Sequence, residues 1–109
     1  MPKLIYADRT LSLEGSEAVL GRHRECTLQV DDDKASRRHV RLFVAEGAWW
    51  VEDLESANGT SLNGNPLSAR HKLAHQDTIG IGKSRIQFHD ESLAPAPVVL
   101  ERRSAAAQG

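Results

Sequence analysis

Hydrophobic and polar residues alternate over much of the first 90 positions of the chain. A period of two is clear in residues 18–20, 28–30, 40–44 and 84–88, and it is typical of strands that bury one face. These segments are short and closely spaced, with nothing helical between them. The pattern therefore predicts an all-β protein, folded as an antiparallel β-sandwich.

Turn residues mark the hairpins of this sandwich. A tight turn over residues 7–9 is expected between two short β-prone pieces near the N-terminus. Asn63-Gly64 is the strongest hairpin signal, because both residues tolerate positive φ angles. The last hairpin is expected around residues 82–83. Residues 66–74 look irregular and are expected to form a mobile loop.

The alternation also predicts which side chains of the two central strands face the core. We expect the inward set to be Val40, Leu42, Val44, Trp49 and Val51, and the outward set to be Arg41, Phe43, Trp50 and Glu52.

A shift in composition divides the chain at its C-terminal end. From residue 91 onward it is rich in Ser, Ala and Pro, which offer little apolar surface to bury. We therefore expect one domain over residues 1–90. Residues 91–109 are expected to be a disordered tail or linker, with a nascent helix around residues 98–106 as one option.

Charge narrows the choice of ligand. The chain of 109 residues has a formal net charge of −1, which argues against a protein that binds nucleic acid through bulk electrostatics. Residues 22–41 are nevertheless rich in arginine and lysine, interrupted by the acidic run at residues 31–33. We read that run as a solvated turn. A locally basic loop on a near-neutral protein suits a small anionic ligand.

Cysteine and histidine usage argues against metal and redox chemistry. Cys26 is the only cysteine, so no intramolecular disulfide can form, and the five histidines lack zinc-site spacing. A lone cysteine fits a reducing compartment, and no apolar run is long enough to span a membrane. The expected location is cytoplasmic, with no membrane contact, no cofactor and no bound metal.

A basic run at residues 34–39 is the centre of the predicted function. It lies between two alternating segments, so Ser36, Arg37 and Arg38 are expected on a loop that enters a strand. Hydroxyl, guanidinium and backbone N–H groups all donate hydrogen bonds to phosphate oxygens. The run therefore indicates a phosphate site.

Three motifs in a fixed order carry a resemblance to a known family. Gly21-Arg22 stands before Ser36-x-x-His39, and an Asp-Leu-x-Ser-x-Asn-Gly-Thr motif follows at residues 53–60. Together they closely resemble the forkhead-associated (FHA) domain, over roughly residues 2–90. The resemblance implies two packed, twisted sheets with the ligand loops at one end. It also implies a phosphothreonine-peptide-binding signalling module without catalytic activity, whose partner is a threonine-phosphorylated protein.

The resemblance assigns roles to individual residues. It implies that Arg22, Ser36 and Arg37 contact the phosphate and that the Asn58 amide bonds the peptide main chain. Lys34 is expected to read acidic residues beyond the phosphothreonine. The residues expected to support the site rather than touch ligand are Gly21, His39, Gly59 and Thr60, and Asp53 and Ser56 are expected to brace the same loop.

Two positions depart from the family pattern. Many members carry Ser or Thr just before the Asn-Gly pair, where this chain has Ala57, so one hydrogen bond to the phosphate is lost and the affinity is expected to be modest. The usual glycine before the penultimate strand is replaced by Gln76. Gln76 is strained if that turn needs a positive φ angle.

Two other functions are compatible with parts of the sequence. A phosphate-independent interaction or assembly module could use another face of the same fold, with Ala57 and an exposed Phe43 or Trp50 as its support. A small thiol hydrolase would need Cys26 with His23 or His39, and the sequence around Cys26 lacks any nucleophile signature. A monomer is the default oligomeric state.

Overall fold

The computed structural model describes residues 2–90, so the tail predicted at residues 91–109 lies outside the described residues. Eleven short strands account for the regular structure of this part of the chain, which contains no helix and hence none that could cross a membrane. The strands are β1 (Lys3–Tyr6), β2 (Arg9–Ser12), β3 (Glu17–Gly21), β4 (Leu28–Gln29), β5 (Val40–Ala45), β6 (Ala48–Asp53), β7 (Ser61–Leu62), β8 (Asn65–Pro66), β9 (His71–Lys72), β10 (Asp77–Ile81) and β11 (Ser84–His89).

The strands form two sheets. One has six strands in the order β2-β1-β11-β10-β7-β8, and the other has five in the order β4-β3-β5-β6-β9. This arrangement confirms the predicted β-sandwich. The pairing is antiparallel except between β3 and β4, where Leu20 and Gly21 run parallel to Leu28 and Gln29. The two segments run parallel because the loop of residues 22–27 carries the chain back along β3 before β4 begins in the same direction.

The core lies between the sheets, where the inward side chains of both meet. Leu20, Val40, Leu42, Ile79 and Ile86 are all fully buried. Each such side chain contributes about 1.5–3 kcal/mol to folding through removal of apolar surface from water. Across the layers, the rings of Trp49 and Phe88 pack with centroids 6.5 Å apart.

The inward and outward assignment is confirmed for β6 and wrong for part of β5. Trp49 and Val51 are buried and Trp50 and Glu52 are half-buried, as expected. Val44, expected inward, is 40% exposed, because it lies at the end of β5 beside a turn.

Phe43 departs from the prediction in the opposite direction. It lies on the outer face of the five-stranded sheet, yet only 7% of it is exposed. The Arg41 guanidinium sits 4.4 Å from the centre of the Phe43 ring, and Trp50 is its direct cross-strand neighbour. Glu17 and Glu52 hold Arg41 in place through hydrogen bonds. Neighbouring side chains of the same outer face therefore cover the Phe43 ring.

The loop expected at residues 66–74 contains a strand that the sequence did not indicate. His71 and Lys72 form β9, which pairs with Trp50 and Val51 at the edge of the five-stranded sheet. Both residues of β9 are exposed, so no alternation marks them. Leu73 follows directly and is buried, with its N–H bonded to the Trp49 carbonyl at 2.8 Å.

The predicted hairpin turns are confirmed. Asn63 and Gly64 have φ angles of 54° and 87° between β7 and β8. The turn before β10 also requires a positive φ, and Gln76 adopts it at 73°. The Gln76 N–H donates to the Phe88 carbonyl at 2.7 Å, which holds this residue in the left-handed region.

We predict that Gln76→Gly stabilises the protein. A left-handed conformation costs an L-residue about 1–2 kcal/mol, and glycine avoids most of that cost. The expected gain is about 1 kcal/mol, or roughly 4–8 °C in the thermal midpoint of a domain of this size. Thermal and denaturant unfolding of Gln76→Gly and of the control Gln87→Gly, within strand β11, test this. The control should lower stability, and an unstabilised Gln76→Gly would show that the turn is not strained.

Candidate functional site

Three loops meet at one end of the sandwich: residues 22–27, 30–39 and 54–60. The Arg22 N–H donates to the Ser36 carbonyl at 2.9 Å, and the His23 N–H donates to the Arg37 carbonyl at 3.1 Å. The third loop joins them through the Ala57 N–H, which donates to Ser36 Oγ at 3.0 Å. Ser36 is therefore the point at which all three loops connect.

Gly21 is the last residue of β3, at the point where the backbone of the second loop passes closest to that strand. A Cβ atom at this position would lie 2.1 Å from the Arg37 carbonyl oxygen. No side chain fits in that space without moving the backbone of the phosphate motif. Gly21 is thus required for the close approach of these two backbone segments.

Ser36 is half-buried, with its hydroxyl held in one orientation. Its Oγ accepts from Ala57 N–H, and its own N–H donates to His39 Nδ1 at 2.9 Å. Within residues 2–90 the hydroxyl proton of Ser36 has no acceptor. A hydroxyl can donate while it accepts, so this proton is available to an anion outside the loop.

His39 is fully buried beneath the loops. Its Nδ1 accepts from Ser36 N–H, and its Nε2 lies 2.8 Å from the Gly59 carbonyl oxygen. The tautomer with its proton on Nε2 satisfies both bonds at once. The imidazole therefore links the second loop to the third, and neither nitrogen is left for metal or proton transfer.

Asp53 holds the third loop from within. Its carboxylate accepts from Ser56 N–H at 3.0 Å, from Ser56 Oγ at 2.5 Å and from Thr60 Oγ1 at 2.6 Å. Partial burial opposes ionisation, but these hydrogen bonds outweigh it and keep the pKa of Asp53 below its ordinary value. Between the two anchor points, Gly59 adopts a φ angle of 80°.

Asn58 joins the loops at their exposed rim. Its Nδ2 donates to the Lys34 carbonyl at 3.0 Å. Among the described residues the amide oxygen of Asn58 and the Lys34 ammonium have no partner. Both groups are therefore exposed at the edge of the site.

Asp32 corrects the interpretation of residues 31–33 as a simple solvated turn. Its carboxylate accepts from Lys34 N–H at 2.8 Å, from Lys83 N–H at 3.0 Å and from Ser84 Oγ at 3.0 Å. The hydrogen bond from the Lys34 backbone is the main cause that lowers the pKa of Asp32. The turn that its side chain forms with the Lys34 N–H is local and is common for Asp. Its bonds to the β10–β11 turn follow only from the fold.

The cations in and beside the site have no ion-pair partner within residues 2–90. Arg22, Arg37 and Arg38 are all exposed, and none makes an ion pair with another described residue. The salt bridges in this part of the chain belong to Arg41, on the outer face of the sheet. The unpaired guanidinium groups of Arg22 and Arg37, beside the free hydroxyl donor of Ser36, form a site for an anion.

The surroundings of Cys26 argue against the thiol hydrolase. Burial raises the pKa of this thiol above its ordinary value, which reduces the reactive thiolate. The thiol donates to the Arg37 carbonyl at 3.0 Å, while His23 Nδ1 accepts from the Glu25 N–H at 3.1 Å. His23 is therefore not a base for Cys26. Over residues 2–90, no cluster of three or more His, Cys, Asp or Glu side chains could hold a metal ion.

Comparison with protein families agrees with this geometry. The family model for the FHA domain matches residues 18–82, which include the three loops and the strands that carry them. The match covers more than half of the chain. The protein belongs to the FHA family.

Two curated relatives show how far the similarity extends. The chain is 36% identical over 82 residues to the FHA domain-containing protein FhaB of Mycolicibacterium smegmatis, which covers 75% of this chain and 53% of FhaB. It is 38% identical over 76 residues to the oxoglutarate dehydrogenase inhibitor of Corynebacterium glutamicum, covering 70% of this chain and 52% of the inhibitor. The chain thus spans about half the length of these relatives.

Solved structures show the same fold. One is an FHA domain from a structural and functional study of phosphothreonine-dependent FHA interactions. It superposes on this chain with a TM-score of 0.75 at 29% identity, and the match covers 82% of this chain and 95% of that one. The MEK1 FHA domain, in complex with a phosphothreonine peptide of HOP1, superposes with a TM-score of 0.68 at 28% identity, covering 81% and 94%.

We predict that His39→Ala destabilises the domain by roughly 2–4 kcal/mol. The change removes two hydrogen bonds that join the loops, each worth about 0.5–1.5 kcal/mol, and leaves a cavity in place of a fully buried ring. Denaturant unfolding measures the loss. His71→Ala, at an exposed histidine, is the control and should change stability little. If the two variants unfold alike, His39 does not hold the loops together.

We also predict that the contribution of Asp53 to the free energy of unfolding depends on pH. Because its folded-state pKa is lowered, its stabilisation is present above the unfolded-state value of about 3.9 and is lost as pH falls through the lower folded value. Asp53→Asn should therefore reduce stability at neutral pH and converge on the unmodified protein in acid. Unfolding curves between neutral pH and about pH 2 measure this, with Asp33→Asn at an exposed carboxylate as control. A constant difference across that range would contradict it.

Proposed function

We propose that this domain binds a segment of a partner protein that carries a phosphorylated threonine, and that it acts as a signalling adaptor. The observation that carries the proposal is the Ser36 hydroxyl. Its oxygen is fixed by Ala57 N–H and its proton is unused within residues 2–90, next to the unpaired Arg22 and Arg37 guanidinium groups. A phosphate is the anion whose several oxygens can accept from all of these donors.

Arg22 and Ser36 are the main phosphate contacts in this proposal. Their backbones are bonded to each other at 2.9 Å, so both side chains start from one fixed point. Arg37 follows Ser36 directly and adds a second guanidinium. A site that is already ordered loses less conformational entropy when it binds its ligand.

Asn58 is proposed to bind the peptide main chain. Its amide oxygen is exposed and unpartnered within the described residues, while its Nδ2 is bonded to Lys34. An amide carries both a donor and an acceptor, so it can pair with a peptide group as a neighbouring strand would. Breaking or sharing the bond to the Lys34 carbonyl would then accompany binding.

Two side chains are proposed to set affinity and selectivity. Ala57 contributes its N–H to Ser36 and has no hydroxyl for the phosphate. A hydrogen bond to a charged group contributes about 1.5–3 kcal/mol, so its absence predicts modest affinity. The exposed Lys34 ammonium is available to an acidic residue of the peptide.

The rival functions have less support. Phe43 is 7% exposed and covered by Arg41, so it cannot anchor a partner on the outer face of the sheet. We propose that the domain has no catalytic activity and needs no cofactor. A monomeric state and a cytoplasmic location stay predictions.

We predict that Ser36→Ala and Arg22→Ala each weaken phosphothreonine-peptide binding at least tenfold without unfolding the domain. Each removes one charge-assisted hydrogen bond to the phosphate, and about 1.4 kcal/mol corresponds to a factor of ten. Isothermal titration calorimetry with phosphothreonine, phosphoserine and unmodified peptides of one sequence measures the effect.

Arg24→Ala is the matched control, because it removes the same charge from an exposed, unpaired arginine of the same loop. It should change affinity by less than about twofold, since exposed charges act weakly through solvent. Equal binding of phosphorylated and unmodified peptides would refute the proposed function.

A further inference from the structure

A groove lies beside the phosphate loops. It is an open groove of about 410 Å³ on the side of Arg37 and Arg38, bordered by the loop that follows β3. Half-buried Val19, His23 and Cys26 contribute to its lining. The function proposed above uses the Arg37 guanidinium at the edge of this groove and leaves the rest of it unassigned.

Internal hydrogen bonds hold the residues that line the groove. The Val19 N–H donates to Thr27 Oγ1 at 3.0 Å, and the Cys26 N–H donates to the His23 carbonyl at 3.0 Å. The Cys26 thiol donates to the Arg37 carbonyl at 3.0 Å, which ties the loop to the phosphate motif. The shape of the groove is thus fixed by internal bonds.

The side chains that remain free in the groove are mainly donors. Arg37 and Arg38 carry guanidinium groups with no ion-pair partner in the described part of the chain. His23 accepts at Nδ1, which leaves Nε2 to donate in the neutral ring. Glu25 is the one acidic side chain in the lining. Arg37 already serves the proposed phosphate site, so Arg38 is the guanidinium that the groove itself offers to a ligand.

The groove begins one residue away from the phosphate site. Arg37 follows Ser36, and the backbone pairing of residues 22–23 with residues 36–37 runs along both. A peptide whose phosphate contacts Ser36 therefore has a neighbouring side chain within reach of the groove.

We propose that this groove is a second subsite, which holds the carboxylate of an acidic residue in the same phosphopeptide, with Arg38 as its principal contact. The proposal rests on the proposed function. The single guanidinium of Arg38 matches the two oxygens of a carboxylate. A second phosphate carries about −1.5 to −2 charges at neutral pH and would need more than one cation.

This subsite is separate from the acidic preference expected of Lys34. The Lys34 backbone is bonded to Asn58 and to Asp32, and Lys34 does not line the groove. Lys34→Ala and Arg38→Ala should therefore affect acidic residues at different positions of the peptide.

The test is a glutamate scan of a phosphothreonine peptide whose flanking residues are otherwise alanine. Calorimetry on the unmodified domain should find a flanking position where glutamate improves affinity about tenfold over alanine, as one charge-assisted bond allows. In Arg38→Ala that advantage should fall below about twofold, while binding of the all-alanine phosphopeptide stays unchanged. Arg24→Ala, which removes an arginine outside the groove, should keep the advantage.

A charge reversal supplies a second readout. Arg38→Glu should prefer lysine over glutamate at the same peptide position. The subsite is refuted if Arg24→Ala and Arg38→Ala reduce the glutamate advantage equally, if no position favours glutamate, or if a second phosphothreonine there binds better than glutamate. In each of those cases the all-alanine phosphopeptide still binds. Failure of that peptide to bind the unmodified domain at all would instead overturn the proposed function together with the subsite.

Discussion

The buried imidazole of His39 is the contact on which the loop end of this domain depends. A polar ring with no exposure to water must have both nitrogens bonded, and its two partners lie on different loops. The geometry of the Ser36 loop is therefore fixed by the position of Gly59, twenty residues further along the chain from His39. Without this contact, the hydroxyl and guanidinium groups would have to be ordered by the ligand itself, at a cost in affinity.

Two carboxylates also fix the loops, each by bonding a loop to a different part of the sandwich. Asp53 ties the third loop to the end of β6, and Asp32 ties the second loop to the turn between β10 and β11. Both are held ionised by the hydrogen bonds that they accept. The guanidinium groups of Arg22, Arg37 and Arg38 are by contrast left free, so these two carboxylates serve the framework while the cations face the solvent. This division explains how a protein of net charge −1 can present a basic site.

Much of this architecture could be predicted from sequence, because strand alternation and the Asn63-Gly64 turn are local signals. The errors arose where a contact between distant residues decides the outcome. Phe43 occupies an outward position and is covered only because Arg41 and Trp50 reach over it. Strand β9 consists of two exposed polar residues that pair through their backbone alone. The loop motifs pointed to residues that the structure brings together at one end of the sandwich, but the groove beside Arg38 and the long-range role of Asp32 require the fold.

The hydrogen bonds between Asp32 and the last hairpin determine when the site can form during folding. Asp32 and Ser84 are separated by 52 positions, and the hairpin that carries Ser84 ends the described part of the chain. The second loop thus acquires its final shape only after nearly the whole sandwich has been synthesised and has closed. Contacts of such long sequence separation form late and cooperatively in β proteins. A nascent chain still lacking β11 would carry every proposed binding side chain without the Asp32 contacts that shape the second loop. A peptide that copies residues 30–39 would in addition lack Arg22 and Asn58.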